Sequence, residues 1–133
     1  MEYLGVDFGL KRVGLATSEG ELASAWKIIE VKNFREALEK ISQIIEQKGF
    51  EKVIIGLPEG KMGKNVAGFI KALTKRGFDV NTVDETLSSK KALETMIKLG
   101  LPRQRRQDVD AYSAAQILQD WLDAGGKGDT RIL

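Results

Sequence analysis

Between Leu4 and Ser18 the chain reads LGVDFGLKRVGLATS, two runs of strand-forming residues separated by Gly9, Leu10 and Lys11. Runs this short, joined by so short a link, close as an antiparallel hairpin. Every later element has to be added to that hairpin. It also carries an anomaly. Strand alternation puts Tyr3, Gly5 and Asp7 on one face and Leu4, Val6 and Phe8 on the other, so a strand suited to a core carries a carboxylate near its end. An ionised acid among apolar neighbours is costly unless it is paired or binds a metal.

The rest of the chain supplies the partners. Residues 24–31 read as a third strand, which completes a meander. Asn33 is placed to cap a helix whose apolar residues Phe34, Ala37, Leu38, Ile41, Ile44 and Ile45 recur at helical spacing, with Gly49 as its stop. KVIIGL, residues 52–57, is a continuous apolar run after a helix, the pattern of a buried parallel strand. PEGKMGKN, with two glycines, reads as a loop. A helix is expected over 66–76, a strand over 79–84, a helix over 88–99, a basic loop over 101–107 and a last helix from Val109 to Leu122 with Asp108 as its cap. The order β-β-β-α-β-α-β-α-α predicts an α/β domain with a mixed five-stranded sheet, an antiparallel meander plus parallel strands, flanked by helices. A single domain is expected over 1–123, with 124–133 a mobile tail of three glycines and no periodicity.

Composition removes several chemistries. Cysteine and histidine are absent from the 133 residues, which excludes thiolate sites, imidazole zinc sites, Ser-His-Asp triads and any histidine base. The lack of cysteine is natural in a reducing cytoplasm. No run of about 18 apolar residues predicts a membrane span, and the N-terminal pattern is that of a strand, not of a signal peptide. The net charge of +2 is too mild to identify a nucleic-acid partner. The basic residues are grouped, however, at Lys11-Arg12, Lys61/Lys64, Lys90-Lys91 and Arg103/Arg105/Arg106.

Three acids stand at the ends of separate elements: Asp7 on the first strand, Glu85 after the fifth, and Asp110 in the first turn of the last helix. Asp110 shares a helical stripe with Ala114, Ile117 and Trp121 and so points inward. Carboxylates that converge repel one another, and a divalent cation relieves the repulsion. Mg²⁺, or Mn²⁺, suits oxygen donors and leaves waters for a phosphate to displace. Each acid also has an ordinary explanation. Asp is common where a hairpin turn begins. Acids at strand ends are usually solvated. Asp110 could serve only the positive helix N-terminus, an effect of about 0.3–1 kcal/mol.

YLGVDFGLKRVGLATS, VIIGLP, VNTVDETLSS and QDVDAYSAAQILQDWL, in that order, resemble the YqgF family from about residue 3 to residue 123. The resemblance implies an RNase H-like fold related to the RuvC resolvases. It implies a nuclease acting on Holliday junctions or on pre-16S ribosomal RNA. The family's acidic site falls on Asp7, Glu85 and Asp110, which makes them the expected catalytic and metal-binding residues. Lys11 and Arg12 match the basic pair after the first strand, Gly9 and Gly14 the hairpin glycines, and Gly56, Leu57 and Pro58 the GLP segment. Thr86 stands where the family usually has Arg, and Glu59-Gly60-Lys61 where an Asn often follows GLP. Lys11, Arg12, Lys61, Lys64, Arg103, Arg105 and Arg106 become the expected contacts to a phosphate backbone.

The resulting expectation is a metal-dependent endonuclease for structured RNA or branched DNA, with no membrane partner. A homodimer would suit the symmetry of a four-way junction. Two alternatives share the fold: a non-catalytic module that binds nucleic acid or protein, and an actin- or sugar-kinase-type ATPase. The ATPases close two domains over the nucleotide, and this chain has the length of one. A Rossmann dinucleotide site is excluded, because Gly5, Gly9 and Gly14 lead into a strand and not a helix. Trp26 and Trp121 offer base-stacking surfaces, although Trp121 lies on the apolar helical stripe and so suits core packing better.

Overall fold

The computed structural model describes residues 2–57, 61–84 and 109–125. The expected fifth-strand glutamate Glu85, the helix over 88–99, the Arg103/Arg105/Arg106 loop and most of the tail lie outside them. The elements are β1 (Tyr3–Phe8), β2 (Arg12–Ser18), β3 (Ala23–Glu30), α1 (Phe34–Lys48), β4 (Lys52–Leu57), α2 (Lys61–Lys75), β5 (Val80–Asp84) and α3 (Val109–Asp123). One sheet runs β3-β2-β1-β4-β5. The pairs β1–β2 and β2–β3 are antiparallel, and β1–β4 and β4–β5 are parallel, which is the expected mixed sheet. No helix among the described residues is long and apolar enough to cross a membrane.

The two faces of the sheet are built differently. On one, Leu4, Val6, Phe8, Val13, Leu15, Val53 and Ile55 pack against Ala37, Ile41 and Ile45 of α1 and Val66, Phe69, Ile70 and Leu73 of α2. Phe69 stacks on Phe8 with centroids 4.5 Å apart, and Phe34 meets both rings edge-on. The expected caps of α1 are in place. The Asn33 side chain accepts from the Glu36 N–H at 2.8 Å, and Gly49 leaves the helix at φ 70°, where a side chain would be strained.

The other face carries α3 alone among the described helices. Ala16, Ile54, Ala114, Ile117, Leu118 and Trp121 form its core, with Tyr3 and Val83 at the margin. The alternation expected of β1 holds, since Leu4, Val6 and Phe8 belong to the α1/α2 core while Tyr3 packs edge-on against Trp121 of α3 at 5.4 Å. Trp121 is thus a core residue. At the far end of α3, Gln119 accepts from the Ala23 N–H and donates to the Glu21 carbonyl, tying the helix to the β2–β3 turn.

Helix α2 begins at Lys61, five residues before the expected start at Val66. Gly63 makes that stretch read as loop, but one glycine costs only about 1 kcal/mol relative to alanine in a helix. Burial of Val66, Phe69, Ile70 and Leu73 along one face outweighs it. Residues 61–65 are therefore the first turns of a helix and not part of the expected loop.

Candidate active site

Parallel pairing puts the carboxyl ends of β1, β4 and β5 on one edge of the sheet, and the β1–β2 loop closes at the same edge, where Phe8 pairs with Val13. Asp7 is the penultimate residue of β1. Its partner across the ladder is Gly14 of β2, and this glycine decides where α3 can sit. A Cβ at Gly14 would overlap the carbonyl group of Asp110. One turn along, a Cβ at Gly5 would stand 2.7 Å from the Ala114 carbonyl oxygen and 2.8 Å from Leu118 Cβ. The helix backbone is therefore seated directly on a strip of bare sheet, and its first turn lands beside Asp7. Gly14 reads as a hairpin glycine in the sequence, but its packing role is to admit Asp110.

Asp7 and Asp110 line one cavity of about 240 Å³, together with Phe8, Gly9, Leu10, Lys11 and Arg12. Asp7 is buried, with 8% of its surface exposed. Burial pushes the Asp110 carboxyl above its ordinary value, and the Arg12 guanidinium offsets part of that. Arg12 Nε lies 3.7 Å from Asp110 Oδ2, with its side chain half exposed. The pair is thus a loose, solvated one, of a kind usually contributing about 0–1 kcal/mol.

The donors here are all oxygens, and one carboxylate is buried while the other is raised by burial. Such a set fits a hard divalent cation, which is commonly held by one or two carboxylates plus water and phosphate. No group of three or more acidic residues placed to hold a metal ion occurs among the described residues. Val83, which faces α3, precedes Glu85 by two positions, and Glu85 itself lies outside the described residues.

Of the expected basic contacts, Lys11 and Arg12 are exposed on the cavity wall. Lys64 is exposed in the first turns of α2, which follows the carboxyl end of β4, and the backbone of Lys61 lies in the same turn. Trp26, a base-stacking surface on the sequence reading, is half-buried. It lies edge-on to Phe50 at 6.1 Å and is covered by Lys27 and Lys48. Sequence reasoning missed Lys32 and Lys40, which line a groove with Lys11 and Arg12. No sequence signal marks them, because the β3–α1 connection reaches the β1–β2 loop only in the folded sheet.

The chain is similar to known proteins over nearly its whole length. A family model described as "RuvX: Holliday junction resolvase" matches residues 1–124. A protein of Acetivibrio thermocellus named "Putative pre-16S rRNA nuclease" is 34% identical, over 96% of this chain and 99% of its own length. A protein of the same name from Anaplasma marginale is 38% identical, over 94% and 87%. Among solved structures, RuvC of T. thermophilus in complex with a Holliday junction substrate superposes with a TM-score of 0.62 at 16% identity, covering 96% of this chain and 99% of that one. Fowlpox virus resolvase in complex with Holliday junction DNA gives 0.64 at 14% identity, covering 96% and 100%. At such identities the likeness establishes the RNase H-like resolvase fold.

Proposed function

The chain belongs to the RuvX Holliday junction resolvase family, and from that premise we propose that it is a divalent-metal-dependent endonuclease cutting phosphodiester bonds in structured nucleic acid, either precursor ribosomal RNA or branched DNA. The observation that carries the reading is the meeting of Asp7 and Asp110 in one cavity walled by Lys11 and Arg12. The nuclease names of the relatives support it, and nucleic acid as substrate fits a place in the cytoplasm.

Asp7 and Asp110 would hold the cation, with Glu85 as the third carboxylate. Mg²⁺ or Mn²⁺ bound there would supply a nucleophile at neutral pH and offset the charge that builds on the phosphoryl oxygens. The protein's own groups do the rest. Asp7 is fixed by its place in a central strand, so it contributes a carboxylate that does not need to be ordered on binding. Asp110 is fixed by the seat of α3 on Gly14. Lys11 and Arg12 draw the backbone phosphates in and orient the strand, without reading sequence. Lys61, Lys64, Arg103, Arg105 and Arg106 are the further expected phosphate contacts. A homodimer would present two such sites to a symmetric junction.

The test is cleavage of a four-way DNA junction and of a structured pre-16S RNA fragment, with Mg²⁺, with Mn²⁺ and with chelator. Cleavage of at least one substrate that stops in chelator is the expected result. Tight binding without turnover in either metal would replace the enzyme with a binding module.

A further inference from the structure

Beside the carboxylate cavity lies a larger groove, of about 610 Å³, lined by Lys11, Arg12, Val31, Lys32 and Lys40 with Glu30 and Glu36. A backbone bond joins two of the residues that line it. The Val31 N–H donates to the Lys11 carbonyl at 2.9 Å, tying the β3–α1 connection to the β1–β2 loop. Lys11 and Arg12 line both spaces, so the groove continues directly from the proposed reaction centre.

Four cations face two carboxylates here, and Lys40 is anchored among them. Glu36 Oε1 lies 3.1 Å from Lys40 Nζ. Lys40 Nζ also donates to the Glu30 carbonyl at 3.0 Å. An ammonium has three N–H donors, so Lys40 is held in position with one donor left for a ligand. Lysine used in this way is a point charge suited to phosphate oxygens. The groove is lined by no exposed aromatic or large apolar side chain, among the described residues, that would favour a base or a protein segment.

We propose that this groove is a second subsite for the nucleic-acid backbone, in which Lys32 and Lys40 bind phosphates of the strand leaving the carboxylate cavity. The proposal rests on the nuclease reading and deepens it. It gives the substrate a direction, from Asp7 across the β1–β2 loop towards the N-terminal end of α1. Because these lysines meet phosphate, they add affinity without sequence preference, and the affinity weakens with salt.

The experiment measures binding of the full chain to a labelled four-way DNA junction and a labelled RNA hairpin by fluorescence anisotropy, in chelator, across a salt series. Lys32→Ala/Lys40→Ala should weaken binding about tenfold. It should also lower the slope of log affinity against log salt by roughly 1–2, at about 0.9 for each phosphate no longer neutralised. With metal present, KM should rise and kcat at saturating substrate should hold. On progressively shortened strands the effect should vanish. Lys27→Ala/Lys48→Ala, beside Trp26, should change nothing. Lys32→Ala alone, which leaves the Lys40–Glu36 pair intact, guards against a folding defect. Unchanged affinity and salt slope in the double variant would overturn the groove, and so would a fall in kcat matching that in kcat/KM. If Lys11→Ala then still weakens binding, the nuclease reading survives. If the wild-type chain neither binds nor cuts either substrate, both fail.

Discussion

The two faces of this sheet use opposite packing strategies. Towards α1 and α2 the strands present Leu4, Val6, Phe8, Val13 and Leu15, large side chains that interdigitate with Ile41, Phe69 and Leu73. Towards α3 the same two strands present Gly5, Gly14 and Ala16. A large-residue face buries more apolar area and so contributes more stability, at about 25 cal/mol per Å². A small-residue face gives some of that up but brings backbone against backbone, which sets the helix position closely. The carboxylates of the candidate site belong to the second face. One side of the sheet mainly stabilises the fold, and the other mainly places functional groups.

That division can be broken or sharpened by substitution. The largest effect should come from Asp7→Asn. Loss of a carboxylate that anchors several kcal/mol of transition-state charge stabilisation should reduce cleavage by roughly 10³-fold or more, at tenfold per 1.36 kcal/mol. The thermal midpoint should move little, and a variant that still cuts at the wild-type rate would remove Asp7 from the chemistry. Next, Leu73→Ala on the stabilising face should cost about 2–5 kcal/mol in denaturant unfolding, with activity per folded molecule retained. Gly14→Ala should cost a comparable amount, about 3 kcal/mol or more, because its Cβ would overlap Asp110 backbone atoms that can yield only if α3 moves. Yet it should weaken Mg²⁺ affinity, read by calorimetry, where Leu73→Ala does not. Equal metal affinity in the two variants would erase the distinction between the faces.

The smallest expected effect concerns pH. Burial raises the Asp110 carboxyl in the folded chain, so the folded state binds its proton more tightly than the unfolded state does. The sign follows: stability falls as pH rises from the ordinary carboxylate value through the raised one. In chelated protein, Asp110→Asn should therefore melt higher than wild type at pH 7, with the gain shrinking as pH falls into the carboxylate range. A gain that grows on acidification would mean that Arg12, and not burial, dominates at that carboxyl.

Much of this can be read from residues in order. The hairpin, the alternation that isolates Asp7 from Leu4, Val6 and Phe8, the Asn33 and Gly49 caps and the buried run of β4 all express local rules of period, propensity and turn chemistry. The start of α2 is not legible in that way, because Gly63 carries a local penalty that non-local burial overrides. The neighbours of Lys11 are not legible at all. Lys32 and Lys40 come beside it through the Val31–Lys11 backbone bond between distant segments.

What the sequence determined alone is the order and type of the described elements and which side of β1 carries the acid, because side-chain direction along a strand is fixed by a period of two. What only the tertiary structure decided is that Asp110 stands beside Asp7. Residues 103 positions apart share a cavity because α3 can come down onto Gly14, where there is no side chain to hold it off. Periodicity specifies directions; distances between elements come from the volumes packed between them.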